Sequence, residues 1–157
     1  MPKVLVLYYS RSGNTELLAK SITEAIAEEK IDVICKKVED TSPDELVDVD
    51  GLIVGSPTYY GTMAAEVKKF LDESIKHHGK LDGKVGAAFA SVASMGRETT
   101  IISILEALLV HGMIIQGDSH GHHYGVTSLG KPDEQDLQRC KRFGQRFAKL
   151  VMKIFCE

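Results

Sequence analysis

Short apolar segments alternate with amphipathic segments of helical period along the whole chain, and this alternation limits the possible folds more than any other feature. Apolar stripes of helical spacing lie between or after the apolar runs. Two of them end near residues 29 and 112, and the other two cover residues 64–75 and 132–154. The regular alternation predicts a parallel sheet with helices on both faces. We therefore expect a single α/β domain over residues 1–157, a three-layer αβα sandwich with five parallel strands, at residues 4–9, 32–38, 51–55, 83–91 and 113–115.

Polar or glycine-rich stretches follow the first, third and fourth predicted strands. Because the carboxyl ends of parallel strands share one edge of a sheet, these stretches should lie close together. Ligands of open α/β sheets bind at that edge, where the strand order reverses. The sequence therefore predicts a binding site built from three loops.

The first of these loops, residues 10–15, joins a strand to a helix and has the composition of an anion site. Small hydroxyl residues let main-chain N–H groups approach a phosphate, and the helix dipole adds partial positive charge. The loop has neither the lysine of a nucleoside-triphosphate loop nor the three glycines of a dinucleotide fingerprint, so it suits a single phosphate monoester. The alternative is an ordinary strand-to-helix turn with a hydroxyl N-cap. The candidate phosphate-binding residues are Ser10, Ser12, Gly13, Asn14 and Thr15.

Composition excludes several classes of function. The net charge of −3 provides no basic face for nucleic acid, and no apolar run is long enough for a membrane span. Cys35, Cys140 and Cys156 are widely and irregularly spaced, which is typical of a reduced, cytoplasmic protein. We expect a cytoplasmic protein that binds neither nucleic acid nor membrane.

Taken together, the three loops resemble the flavodoxin-like family, and more closely its branch of WrbA-like NAD(P)H:quinone reductases. The first loop resembles the family's phosphate loop, and residues 56–62, SPTYYGT, are similar to the turn beside the flavin ring in that branch. Residues 96–113 resemble the branch's G-G-Q-E-x-T…H-H-G-M stretch, although Arg97 replaces its glutamine and Val110 its first histidine. The resemblance implies a strand order of 2-1-3-4-5 and FMN as cofactor.

The resemblance also implies where each part of FMN would bind. The phosphate would lie on residues 10–15 and the ring between the second and third loops, with Tyr59 or Tyr60 as a flat aromatic surface. A solvent-facing turn is the alternative for these tyrosines. Main-chain N–H groups of Tyr60 and Gly61 would donate to the N5 and O4 edge of the ring. The implied residues of these two loops are Pro57, Thr58, Tyr59, Tyr60 and Gly61, with Ser91, Ala93, Ser94 and Gly96 at the pyrimidine edge.

Histidine and arginine residues near the third loop leave alternatives open. The resemblance places His111 near the flavin as a candidate catalytic residue for proton exchange, whereas its sequence position suits a helix C-terminus. His120, His122 and His123 follow no zinc pattern, so we expect no metal site and a flexible loop at the substrate entrance, within residues 117–131. Arg97 suits either a nicotinamide-cofactor phosphate or a surface salt bridge.

Two functions remain open. The first is an oxidoreductase that takes hydride from NAD(P)H and passes electrons to a quinone or similar small acceptor. The second is a flavodoxin-type one-electron carrier that docks to redox proteins. A phosphatase would need a cysteine opening the first loop, and Ser10 stands there. The chain lacks the long inserts of full-length WrbA-like enzymes, so a homodimer and a homotetramer both remain possible.

Overall fold

A computed structural model describes residues 1–156, which form an α/β sandwich of three layers. The strands are β1 (Lys3–Tyr8), β2 (Asp32–Lys37), β3 (Gly51–Tyr59), β4 (Thr62–Met63), β5 (Val85–Val92), β6 (Ile114–Ile115) and β7 (Thr127–Leu129). The helices are α1 (Asn14–Glu28), α2 (Ala65–Glu73), α3 (Arg97–Val110) and α4 (Glu134–Phe155), and 3₁₀ turns cover Val38–Asp40, Pro43–Asp48 and Ser74–His77. No helix among these residues is long and apolar enough to cross a membrane.

The central strands are parallel in the order β2-β1-β3-β5-β6, which confirms the predicted order. Alternate residues of each strand point to opposite faces, so the sheet separates two cores. On one face Leu5, Leu7 and Val54 belong to the core beneath α2 and α3. On the other face Val6 and Phe89 belong to the core beneath α1 and α4. The sheet is thereby buried on both sides, as continuous apolar strands predict.

The third strand is longer than predicted. It continues past Gly55 to Tyr59, because Ser56 and Pro57 pair with Ala90 and Ser91 of β5. It then turns back through Tyr60 and Gly61 into the antiparallel strand β4. This extension carries the second loop beyond the sheet and above the end of β5.

Two short strands pair with β5 at the edge of the sheet, where the sequence predicts one; the first lies within the predicted residues 113–115, and the second lies in the predicted flexible loop at residues 117–131. The strand β6 pairs with the beginning of β5, whereas β7 pairs with its end. Thr127 and Ser128 are buried, so this part of the segment belongs to the sheet. The expectation of one flexible loop was therefore wrong for residues 127–129.

Candidate functional site at the carboxyl edge of the sheet

The first loop presents free main-chain donors at the N-terminus of α1. Gly13 has φ of +99°, in the left-handed region that glycine adopts readily, and this conformation starts the helix. The Ser10 hydroxyl oxygen accepts hydrogen bonds from the N–H groups of Gly13 and Glu16 at 3.2 and 3.3 Å. The N–H groups of Ser12, Asn14 and Thr15 donate to no acceptor among residues 1–156. Convergent free N–H groups at a helix N-terminus suit a phosphate.

A buried hydrogen bond fixes this loop to the sheet. Thr15 Oγ1 lies 2.8 Å from Ser91 Oγ, and both residues are almost fully buried. Glu16 follows in the same helical turn, but Lys20 pairs with its carboxylate at 2.9 Å and lowers its pKa. The ion pair offsets the one acidic charge in the first turn of α1, which otherwise would repel an anion.

The second loop is a two-residue hairpin with an unusual residue in it. Tyr60 and Gly61 have φ of +50° and +76°, the signature of a type I′ turn. Tyrosine rarely adopts a positive φ. The Tyr60 side chain is fully exposed to solvent, at 108% relative exposure, and packs against no part of the core. Tyr59 is half-buried beside it. The hairpin thus presents one aromatic ring free in solvent at the edge of the sheet.

The third loop packs directly against this hairpin. Gly96 has φ of +94°, and a β-carbon placed on it would lie 3.0 Å from the α-carbon of Gly61. The Thr99 hydroxyl donates to the carbonyls of Gly61 and Gly96 at 2.6 and 2.9 Å. Thr100 Oγ1 donates to Thr58 Oγ1 at 3.0 Å. The first turn of α3 therefore holds the second and third loops at a fixed separation.

These loops enclose one open cleft above the ends of β1, β3 and β5. Of the predicted residues, the cleft is lined by Ser12, Asn14, Thr15, Pro57, Thr58, Tyr59, Ser91 and Ala93. The others border it in the same loops: Ser10 and Gly13 in the first, Tyr60 and Gly61 in the second, Ser94 and Gly96 in the third.

Arg11, Val92 and Gly130 also line the cleft and were missed. Arg11 lies inside the phosphate-loop motif and its charge was a usable signal. No local sequence signal indicates Gly130, because the sequence does not predict the strand β7 before it. The N–H of Gly130 donates to the carbonyl of Val92 at 2.8 Å.

His111 lies at the opposite edge of the sheet from the cleft, at the C-terminus of α3, as its sequence position suits; its catalytic role stays a prediction. It caps the C-terminus of α3, whose 14 residues span about 21 Å from the third loop. Its Nε2 lies 2.8 Å from the hydroxyl oxygen of Ser74, and the ring is buried. Burial lowers the pKa of His111, with further lowering by His78 and His77, so the imidazole is neutral rather than a cation at the helix end.

The histidine-rich segment between β6 and β7 is tied to α4 through Asp118. Arg142 Nη2 donates to the Asp118 carboxylate at 3.1 Å, and Arg146 Nη2 donates to the Gly117 carbonyl at 2.8 Å. The Arg142 contact is the largest cause of the lowered pKa of Asp118, about 2. Within residues 1–156 no group of three or more His, Cys, Asp or Glu side chains is arranged to hold a metal ion. Arg97 contacts Glu98 at 3.3 Å on the surface.

Comparisons with known proteins agree with this architecture. The family model described as Flavodoxin domain matches residues 5–110, two thirds of the chain. This chain belongs to the flavodoxin family. Membership implies a flavin cofactor, and the free donors and aromatic hairpin described above fit one.

Individual relatives and solved structures are similar to this chain over most of its length. An NAD(P)H dehydrogenase (quinone) from Archaeoglobus fulgidus is 34% identical over 98% of this chain and 100% of its own length. A flavodoxin from Aquifex aeolicus is 36% identical over 96% of this chain and 88% of its own. The solved structure of a flavodoxin from the domain Archaea is 34% identical, with a TM-score of 0.82 over 95% of this chain and 98% of that one.

Proposed function

We propose that this protein binds FMN at the carboxyl edge of the sheet and transfers electrons from NAD(P)H to a quinone or similar small acceptor. The observation that carries the cofactor proposal is that the N–H groups of Ser12, Asn14 and Thr15, which line the cleft, have no acceptor among residues 1–156. A single phosphate monoester matches this set in size and charge. When bound, the flavin would supply the hydride-accepting and electron-donating chemistry.

The chain's own residues would bind and orient this cofactor. The N-terminus of α1 would hold the phosphate, and Thr15, fixed by Ser91, would keep that turn in place. Tyr59 and Tyr60 offer flat surfaces for an aromatic ring system. The N–H groups of Tyr60 and Gly61 donate to no acceptor among the described residues, so both are free to meet developing negative charge.

The donor and acceptor are proposed from the relatives. Relatives named NAD(P)H dehydrogenase (quinone) match 98% or more of this chain and 99% or more of their own lengths. The cleft is open to solvent, as a small diffusing acceptor would require. The prediction of a homodimer or homotetramer remains, and so does that of a cytoplasmic location.

A second candidate is a one-electron carrier that docks to redox proteins, and specific observations favour it. The alignment to the Archaeoglobus fulgidus enzyme spans 190 positions, whereas this chain has 157 residues, so the enzyme carries additional segments. The alignment to the Aquifex aeolicus flavodoxin spans only 162. In addition, His111, the candidate for proton exchange, lies at the far end of α3 from the cleft.

Steady-state turnover separates the two candidates. FMN-loaded protein is mixed with NADH or NADPH and benzoquinone, and nucleotide oxidation is followed by absorbance. Turnover with either nucleotide is the expected result, and its absence in fully loaded protein would refute the reductase proposal. Reductive titration with dithionite then tests the carrier, because a carrier takes up its two electrons in two resolved steps.

A further inference from the structure

A second cavity lies beside the cofactor cleft, on the other side of the first turn of α3. We call it the Arg97 cavity, since Arg97, Glu98, His122, Tyr124 and Thr127 line it; its volume is about 180 Å³. The strand β7 connects the two spaces: Thr127 lines this cavity and Gly130 lines the cofactor cleft. Three residues of extended chain span about 10 Å, so a ligand of moderate length reaches from one space to the other.

The imidazole of His122 is held in one tautomer. The main-chain N–H of Thr127 donates to His122 Nδ1 at 3.2 Å. A main-chain N–H only donates, so Nδ1 carries no proton in the neutral ring and Nε2 carries it. Nε2 has no acceptor among residues 1–156. His122 therefore presents a free N–H donor of fixed identity.

The backbone at His122 has a left-handed conformation that is unfavourable for residues with a β-carbon. Its φ is +41°, a left-handed conformation that residues with a β-carbon rarely adopt. Such outliers persist where the surrounding structure enforces them and are common at ligand sites. The neighbouring Gly125 packs against the carbonyl of Ala88 and leaves no room for a side chain there. The segment is thereby anchored to β5.

The charges around His122 favour an anion. Arg97 makes one contact with Glu98, from Nε at 3.3 Å, and its Nη groups donate to no acceptor among the described residues. The guanidinium side chain is 42% exposed and available to a ligand. Burial lowers the pKa of His122, and Arg139 and Arg97 lower it further, so the ring is a neutral donor beside a permanent cation. Asp136 and Glu98 act on this pKa in the opposite direction, but Arg139 pairs with Asp136 at 3.1 Å and Arg97 contacts Glu98 through its Nε alone.

We propose that the Arg97 cavity binds a phosphate group of the pyridine-nucleotide donor, with Arg97 and His122 Nε2 as the donors to its oxygens. This proposal rests on the proposed function. Guanidinium groups recognise phosphate through paired N–H donors, and a neutral imidazole N–H adds a third. The anionic groups of such a donor are the pyrophosphate and, in NADPH, the ribose phosphate. Both lie several bonds from the ring that delivers hydride, which matches a cavity beside the cofactor cleft.

The first test measures binding without turnover. Adenosine diphosphate and adenosine 2′,5′-bisphosphate are titrated into FMN-loaded protein by calorimetry, as probes of the pyrophosphate and ribose-phosphate sources. The variants are Arg97→Gln and, as a matched control for loss of one positive charge, Lys153→Gln on the exposed surface of α4. We expect Arg97→Gln to weaken the preferred probe by about tenfold or more and Lys153→Gln to have no effect. The probe that binds more tightly identifies the phosphate.

Two outcomes would overturn the cavity assignment: neither probe binds, or Arg97→Gln binds like Lys153→Gln. A nitrogen NMR spectrum of the wild-type protein is an independent check, because Nε2 of His122 should shift on probe binding while the resonances of buried His111 stay unchanged. KM values for NADPH and NADH separate this proposal from the proposed function. If probe binding depends on Arg97 but neither nucleotide reduces the flavin, the anion site in the Arg97 cavity is supported and the proposed reductase function is refuted. If the nucleotides reduce the flavin with the same KM in wild type and Arg97→Gln, the reductase function is supported and the cavity assignment is refuted.

Discussion

Substitution of Tyr60 by asparagine should stabilise the cofactor-free protein and weaken FMN binding at the same time. Tyr60 has φ of +50° and Gly61 follows at +76°, a type I′ turn in which asparagine before glycine is preferred. The left-handed conformation costs most residues about 1–2 kcal/mol, and asparagine less. The Tyr60 ring is 108% exposed, so its removal loses no packing. Tyr60→Asn should therefore raise the free energy of unfolding by about 0.5–1 kcal/mol.

The same substitution removes an aromatic surface from the edge of the cleft. Aromatic contacts contribute about 0.5–1.5 kcal/mol beyond burial, so the Kd for FMN should rise about two- to tenfold. Urea denaturation of the cofactor-free protein measures stability, and quenching of flavin fluorescence measures affinity. Tyr60→Phe keeps both the ring and the strained backbone, so it should leave both quantities near wild type. Lower stability of Tyr60→Asn, or unchanged FMN affinity, would refute the reasoning.

Three further predictions concern other parts of the molecule. Thr15→Val leaves the Ser91 hydroxyl buried without its 2.8 Å partner and should lower the free energy of unfolding by about 1–3 kcal/mol, measured in urea with an unchanged m value. Gly96→Ala and Gly79→Ala both place alanine at a positive φ, and each should lower the free energy of unfolding by about 1–2 kcal/mol. Of these two glycines only Gly96 faces a backbone atom at 3.0 Å, so only Gly96→Ala should also weaken FMN binding in a fluorescence titration. His111→Leu should reduce the pH dependence of stability, because the lowered pKa of His111 makes the free energy of unfolding fall as the pH drops below about 6.5. Urea denaturation between about pH 5 and 7, in steps of roughly half a unit, tests this. FMN affinity should stay unchanged.

Most of the fold could be predicted because its strands are continuous apolar runs and its helices carry clear stripes. The errors lie where local sequence and tertiary pairing disagree. Ser56 and Pro57 are typical of a loop, but β5 provides pairing partners that extend β3 through them. Thr127 and Ser128 lie among glycines and histidines, and only their pairing with the end of β5 shows that they belong to the sheet. Neither partner is adjacent in sequence, so no local pattern could indicate these pairings.

The candidate site was predicted where the signal was local. The phosphate loop combines a strand, hydroxyl residues and a helix start within residues 4–15, and each of these can be predicted from the sequence. His111 shares a motif with the third loop, but the 14-residue helix α3 separates the two in space, so the motif alone does not place His111 at the cleft. The Arg97 cavity depends on contacts between β7, the segment before it and α3. Such a space exists only after the chain has folded, and the sequence left Arg97 open between a nicotinamide-cofactor phosphate and a surface salt bridge.

Anaerobic mixing of FMN-loaded protein with NADPH or NADH tests the central claim most directly. The cleft and the family together predict that one of these nucleotides bleaches the oxidised flavin absorbance and that benzoquinone restores it. Bleaching by dithionite alone, with both nucleotides without effect, would contradict the claim that this protein takes electrons from NAD(P)H.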